Sequence, residues 1–462
     1  MPALAKIVPP ERALPPLRLI RTIIRNPIEA WPKPVYEQPI FRSRAFGRET
    51  VFITEPDLVH QVLVEKADAF VKAQSLQRAL RPALGDGILT ADGARWRWQR
   101  RATAPIFRHE RVRSFIPAMI EAAERTRDRW LAHPAEAELN VAHEMMRTTF
   151  DIIVETMLSG RSSIDVERTE QGIRTYLEAT SWAIALNLLG LPQWTPSPGK
   201  HRSDAARNYL RSELLRLVAQ GREAKVGRDD LLSPLLSASD PETGQAMDNR
   251  QIADNLLTFI TAGHETTALA LTWTFYLLSL HPEIEQRLVQ EVEIVTSGTP
   301  LSEGHIEQLT LTRQVLQEAM RLYPPAPGIV RAALVDVSIG DHLIHKDSAI
   351  YIPVYALHRR PELWEAPDEF RPERFGAEES RTRHRYAYLP FGAGPRICIG
   401  MSFAMVEATV ILAVIAQAVR VRLRSAFEPK LKLRVTLRPG TGMPMHVARR
   451  QPTATPPISS QN

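Results

Sequence analysis

Cysteine is almost missing from this chain: 462 residues hold one, Cys398. A single thiol excludes an internal disulfide and removes any argument for an oxidising compartment. Long apolar runs are missing from the start as well. Met1 to Arg25 is broken by Pro9, Pro10, Pro15 and Pro16 and falls short of the roughly 18 residues that a membrane span needs. It also lacks the apolar region of a signal peptide. The expectation is a cytoplasmic protein without a transmembrane segment, and Leu17 to Ile24 has two open readings, a stretch that grazes a membrane surface and, favoured, a short amphipathic turn packed on the body. Charge of one sign is scarce too. Lys and Arg number 58 against 52 Asp and Glu, a net +6, and no basic stripe is interleaved with stacking aromatics, which argues against a nucleic-acid partner. No internal repeat is present.

What is present is apolar and proline-rich. Hydrophobic residues make up 44% of the chain, enough for a sizeable core, and 36 prolines are spread along it, as expected of many helix starts and irregular connections rather than disorder. The organisation reads as a proline-rich N-terminal segment (1–37), one large domain (38–447) and a polar tail (448–462) expected to be disordered. Gln38 to Thr54 reads as a hairpin and Asp57 to Glu65 as a helix. Val71 to Gly93 reads as loop-rich, and Gly190 to Lys200 as a mobile connection. Amphipathic helices are expected over Ala118–Ala132, Val141–Leu158, Val166–Leu189 and Ser203–Ala219, and strands over Ile329–Tyr355. The longest helical pattern runs from Asp248, a candidate N-cap, to His281 before Pro282.

The one cysteine sits in Phe391-Gly-Ala-Gly-Pro-Arg-Ile-Cys-Ile-Gly400, just ahead of an apolar helical run from Met401 to Val419. Beside a helix N-terminus, free backbone N–H groups favour an anion, so a thiolate fits there. Gly392 and Gly394 permit close backbone approach to a flat ligand. A lone cysteine is more often an inert apolar residue, but the surrounding pattern, Phe-x-x-Gly-x-Arg-x-Cys-x-Gly, resembles the haem-ligand loop of the cytochrome P450 family. That resemblance implies Cys398 as the axial thiolate of haem b (iron protoporphyrin IX), with Phe391 and Gly400 in the loop and Arg396 on a propionate. A thiolate ligand favours O–O cleavage over reversible oxygen carriage.

Three other stretches extend the likeness. Trp96 and Arg100 share a helix face, where an indole N–H and a guanidinium can donate to one carboxylate; taken alone this is a solvated basic helix, and by resemblance a propionate-binding one. Ala262-Gly-His-Glu-Thr-Thr267 puts polarity at the centre of the longest, nearly all-apolar helix. Taken alone it is a core helix with a satisfied polar bend. By resemblance, Gly263 leaves room for the cofactor, Thr266 bonds dioxygen and Glu265 supports proton delivery. It is no zinc motif, since position 268 is Ala where a second histidine would stand. Glu318 and Arg321, with Arg374, are similar to the family's structural triad, although an i, i+3 pair is ordinarily a surface salt bridge. Arg331 matches a further propionate arginine.

The resemblance spans about Gln38 to Val447 and implies a mainly α fold with a small β-rich region, the haem lying between the long central helix and the cysteine-loop helix. It implies a monomeric monooxygenase that inserts one oxygen atom of dioxygen into an apolar small molecule. Electrons would come from a separate ferredoxin-type or flavodoxin-type donor with a NAD(P)H-dependent reductase, docking on Arg95, Arg97, Arg101, Arg108, Arg111 and Arg113. Two alternatives stay open: a peroxide-using or isomerising enzyme, against which Glu265 and Thr266 count, and a haem-binding sensor or carrier using the same cysteine.

Overall fold

The computed structural model describes residues 4–158, 165–178, 182, 186, 189–192, 194–223, 230–240 and 242–451. Helices of eight or more residues are α1 (Pro16–Arg25), α2 (Gln74–Leu84), α3 (Gly93–Thr103), α4 (Ile116–Leu131), α5 (Val141–Leu158), α6 (Val166–Glu178), α7 (Lys200–Glu223), α8 (Asn249–Leu280), α9 (Pro282–Thr296), α10 (Thr310–Leu322) and α11 (Met401–Ala418). The strands are β1 (Ile40–Ala45), β2 (Arg48–Ile53), β3 (Phe70–Lys72), β4 (Ala137–Asn140), β5 (Ile329–Ala333), β6 (Val337–Ile339), β7 (His342–Ile344), β8 (Ala349–Ile352), β9 (Val419–Leu423), β10 (Leu431–Leu433), β11 (Leu437–Pro439) and β12 (Pro444–Arg449). The fold is mainly α, as the sequence implies.

Helix α8 is the axis. Asp248 accepts the N–H of Gln251 at 2.8 Å and Gln251 returns a bond to the Asp248 N–H at 2.9 Å, so two otherwise orphaned donors are satisfied and the start is fixed. From there 32 residues carry the helix across the molecule, a rise of about 48 Å. It packs against α5, α7, α10 and α11. Near its C-terminal end Trp273 stacks on Tyr323 with centroids 4.3 Å apart and donates to the Leu437 carbonyl at 3.2 Å. Helix α11 is apolar enough to span a membrane, but 61% of that window is buried in the protein, where it packs on α4, α8, α9 and α10.

A five-stranded sheet in the order β1-β2-β8-β5-β3 forms a second, smaller core around Val51, Ile53, Ile350 and Ile352. Its β3–β5 edge sets Lys72 directly opposite Arg331. The hairpin β10–β11 stands apart and reaches the middle of α8, while β4-β12-β9 make a third sheet.

The Glu318–Arg321 pair is fully buried, not on the surface. Two bonds of 2.7 and 2.8 Å join the side chains, Arg374 approaches Glu318 at 3.3 Å, and Arg321 also donates to the carbonyls of His358, Pro367 and Glu369. His358 accepts the Leu389 N–H at 2.9 Å. The network therefore ends two residues before the cysteine loop begins. Burial and the neighbouring Arg321 hold the His358 imidazole well below its ordinary pKa, and a neutral ring is what accepting that N–H requires.

Two local expectations differ. Val71–Gly93 contains the last two residues of β3 and the eleven-residue helix α2, the helix forming because Ala79, Leu80, Ala83 and Leu84 make a buried stripe at i, i+1, i+4, i+5 despite Pro82. The expected helix Val166–Leu189 is helical as far as Glu178, and most of residues 179–189 lie outside the described residues. The tail beyond Gln451 also lies outside them. The N-terminal segment is strapped to the core: the Ala5 N–H and carbonyl bond the hydroxyls of Tyr276 and Tyr323, and the Ile7 N–H bonds Tyr355. Helix α1 itself buries no residue.

Candidate functional site

The cysteine loop is shaped by two left-handed glycines, Gly392 (φ 71°) and Gly394 (φ 69°). At Gly394 a Cβ would lie 2.0 Å from the Leu63 carbonyl oxygen, so only glycine lets the loop press this close. The Cys398 N–H donates to the Phe391 carbonyl at 2.9 Å, closing the loop, and Gly400 caps α11. The thiol is accessible by area, yet protein surrounds it on the longer scale that governs ionisation. Burial raises its pKa, and the Gly400 N–H and the Arg100 guanidinium oppose that rise. Those two groups also favour the thiolate once a cation binds the sulfur.

Around the loop lie more cations than anions. Lys72 and Arg331 face each other across β3–β5, like charges that cost stability in that position. Arg396 lies over the Trp96 ring at 4.9 Å and contacts Asp92 at 2.5 Å. That contact is poorly aligned, leaving the Arg396 Nη1 and the Asp92 Oδ1 without a well-formed hydrogen bond although both are buried. Desolvation, opposed by Asp92 and reinforced by Arg396 and Arg331, lowers the Lys72 pKa to about 7. Desolvation and Arg396 lower that of Arg331 to about 10. Arg100, also lowered by burial, has Cys398 as its charged neighbour. The Lys72 ammonium donates to the Ile88 and Ala91 carbonyls at 2.7 Å, but among the described residues Asp92 is the one carboxylate facing Lys72, Arg331 and Arg396, and the cluster has room for further negative charge.

At the centre of α8, Ala262 is exposed while His264, Glu265 and Thr267 are buried, so one side of this turn is left uncovered by protein. The Thr266 hydroxyl donates to the Ala262 carbonyl at 2.7 Å. Gly263 has its Cβ side turned to Ile153 of α5, where an added methyl would meet Cδ1 at 2.9 Å; the closeness it permits is that of two helices. Glu265 is turned to the β10–β11 hairpin, where its Oε1 accepts from Thr436 at 2.6 Å and from Arg438. The Thr267 hydroxyl bonds the Gly263 carbonyl at 3.1 Å and lies near the fully buried Glu407 of α11, whose carboxyl burial pushes well above the usual range and whose two oxygens have no well-formed hydrogen bond among the described residues.

The model of the family "Cytochrome P450" matches residues 33–444. The chain belongs to the cytochrome P450 family. It is 32% identical over 375 residues to the cyclooctat-9-en-7-ol 5-monooxygenase of Streptomyces melanosporofaciens, covering 79% of each chain. It is 34% identical to a cytokinin hydroxylase of Arabidopsis thaliana over 79% of this chain and 72% of that one. The structure superposes on a crystal structure of the cytochrome P450DA haem domain with a TM-score of 0.84 at 26% identity, covering 97% of this chain and 99% of the other. As a P450 it is a haem-dependent monooxygenase that uses dioxygen, an organic substrate and a redox partner.

The residues present fit a haem. Its iron asks for the thiolate that Gly400 and Arg100 favour, and its two propionates are the anions that the cationic cluster lacks. The structure brings Trp96 and Arg331 together around Arg396, two residues before Cys398 in the same loop, and Arg100 stands beside the thiol. Lys72 and Asp92 went unnoticed in the sequence. Only the position of Asp92 just before α3 singled it out, whereas Lys72 enters the cluster through the pairing of β3 with β5, which no local pattern announces. Thr436, Arg438 and Glu407 were likewise invisible, each lying on an element far in sequence from its partner on α8.

Proposed function

We propose that the chain is a haem b monooxygenase that hydroxylates an apolar small molecule, with Cys398 as the iron ligand. Bound in this site, the haem would supply dioxygen activation by two electrons, one oxygen atom passing to the substrate and the other leaving as water. The observation that carries the reading is the excess of half-buried cations gathered around Arg396 of the cysteine loop, which two propionates would balance. Arg100, Arg331 and Arg396, joined by Lys72, hold the propionates, and the Trp96 indole supports Arg396 from its ring face. Phe391 and Gly400 fix the sulfur through the two backbone bonds of the loop. Gly263 sets the distance between α8 and α5, and hence the space over the haem. Thr266 holds a hydroxyl proton at Oγ1, releasable from the Ala262 carbonyl, and Glu265 is the adjacent carboxyl that resupplies it.

Electrons come in this reading from a separate acidic donor, of ferredoxin or flavodoxin type, served by a NAD(P)H-dependent reductase. The surface for it is narrower than six arginines. Arg95 pairs with Asp86, Arg101 with Asp240 and Glu242, and Arg113 with Glu303 and Glu307, while Arg111 donates to the Asp230 carbonyl. Arg108 is exposed without an ion pair among the described residues, and Arg97 has only a 3.7 Å contact to the fully exposed Asp68. The substrate in this reading is an apolar small molecule, supported by the apolar side chains of Ile88 and Phe259, the first beside α8 and the second on it.

The test is spectroscopic. Wild-type protein loaded with haem should give the red-shifted Soret band of a thiolate-ligated ferrous carbon monoxide complex. A type I shift screen over terpenoids, steroids, fatty acids and aromatics should then find ligands that are oxidised at the expense of NAD(P)H. Colourless protein, or an unshifted band, would end the reading.

A further inference from the structure

Glu265 is held from outside its own helix, by two side chains of one hairpin. The Thr436 hydroxyl donates to Oε1 at 2.6 Å, Arg438 bonds the same oxygen, and Arg438 also donates to the Thr436 hydroxyl oxygen at 3.2 Å. That last bond occupies a lone pair of the hydroxyl and so directs its proton at the carboxylate. The Arg438 Nε is buried without a partner, so the guanidinium is placed for the carboxylate rather than for its own satisfaction. Both bonds to the carboxylate fall on Oε1. Oε2 has no bond among the described residues and is not among their buried, unpartnered atoms, which leaves one oxygen anchored and the other open to proton exchange.

The hairpin is itself rigidly seated. Leu437, between the two clamping residues, donates its N–H to Pro325 at 2.9 Å and accepts from the Trp273 indole at 3.2 Å. The Leu433 N–H is held by Asn26 at 2.8 Å, and Arg434 reaches the carbonyls of Ile24 and Arg25. A carboxyl that trades protons must present the same oxygen on each turnover, and a side chain with three rotatable bonds does so only if something fixes it.

We propose that Arg438, aided by Thr436, is the positioning residue of the proton-delivering carboxyl: it anchors Glu265 by one oxygen so that the other serves Thr266. This rests on the proposed function and adds to it two residues that act through Glu265. When protons arrive on time, dioxygen takes four electrons and four protons and leaves as water, or gives one oxygen atom to a substrate. When they do not, it leaves after two electrons and two protons as hydrogen peroxide.

The experiment uses full-length, haem-loaded protein reduced by NADPH through a surrogate ferredoxin and its reductase, with no substrate needed. The ratio of peroxide released to NADPH consumed is measured for wild type, Glu265→Gln, Arg438→Met, Arg438→Lys, Thr436→Val and the double variant Glu265→Gln/Arg438→Met. Arg438→Met should raise the ratio of peroxide to water on the order of tenfold, below the roughly 10²-fold or more of a direct acid. Arg438→Lys should restore most of it, and the double variant should match Glu265→Gln alone, because the arginine acts through the glutamate. A thermal-unfolding cycle over wild type, the two single variants and the double variant should give a non-zero coupling between residues 265 and 438, a readout independent of turnover. A wild-type peroxide ratio in Arg438→Met, multiplying effects in the double variant, or zero coupling would each overturn the proposal. Should Arg438→Met fail to fold, Thr436→Val carries the same expectation at smaller size, and a wild-type ratio there overturns it. The carbon monoxide spectrum separates the two readings: a red-shifted band in every variant confines a failure to the clamp, and its absence in wild type removes the site as well.

Discussion

At the scale of single residues, the chemistry turns on charges buried before their counterpart arrives. Cys398→Ser should bind haem weakly if at all and lose the red-shifted Soret band of the carbon monoxide complex; a retained band would take the iron away from this sulfur. Lys72 makes a second, independent case. Its pKa is lowered from 10.5 to about 7 in the fold, so between those values the unfolded chain binds a proton that the folded chain does not, and stability rises with pH. The slope approaches about 1.4 kcal/mol per pH unit at most. Haem-free protein should therefore melt at a higher temperature at pH 9 than at pH 7, Lys72→Met should flatten that rise, and haem loading should flatten it too by giving the ammonium its anion. An equal slope with and without haem would place the propionates elsewhere. Cys398 and Arg396 were legible in the sequence because a loop compresses several constraints into ten consecutive residues. Lys72 was not, since nothing near Phe70–Lys72 announces that Arg331 will lie across the ladder from it.

At the scale of elements, legibility depended on how locally each one is specified. Helix α8 could be read nearly to the residue because Asp248 and Gln251 make its cap and Pro282 marks its end, whereas α2 was hidden by the glycines just after it and by Pro82. The Glu318–Arg321 spacing was equally visible, but burial is a property of the packed elements and not of the spacing. Both side chains are wholly enclosed, so Glu318→Ala leaves an uncompensated guanidinium and should cost about 3–5 kcal/mol, read as a fall in the denaturant midpoint; a loss below about 1 kcal/mol, the range of an exposed pair, would make the network ornamental. Gly263 tests helix packing in the same way. Its Cβ would press on Ile153 Cδ1, an overpacking cost of about 1–3 kcal/mol offset in part by the helix preference of alanine, about 1 kcal/mol. Gly263→Ala should be destabilised and Ile153→Val, which deletes that atom, should rescue it. Failure of the rescue would mean that the glycine serves the haem side of the helix.

At the scale of the whole molecule, the net charge of +6 is a poor guide to where an acidic donor would dock, because most of the basic helix after Trp96 is already neutralised from within. Asp240, which faces Arg101, is 4% exposed in its side chain. Reversing Arg101 would set a carboxylate against Asp240 and Glu242, so any slowed reduction would mix the loss of that pairing with docking. Arg97 and Arg108 are free of that objection. Long-range attraction between such charges and an acidic donor raises the association rate and fades within a Debye length of about 8 Å at physiological salt. The double reversal Arg97→Glu/Arg108→Glu should thus slow reduction by an acidic ferredoxin on the order of tenfold at low ionic strength, with the melting temperature unchanged, and the gap to wild type should close as salt is added. Equal rates at low ionic strength would move the donor to another face of the molecule, and a gap that persists at high salt would mean that the two arginines act by contact rather than by steering.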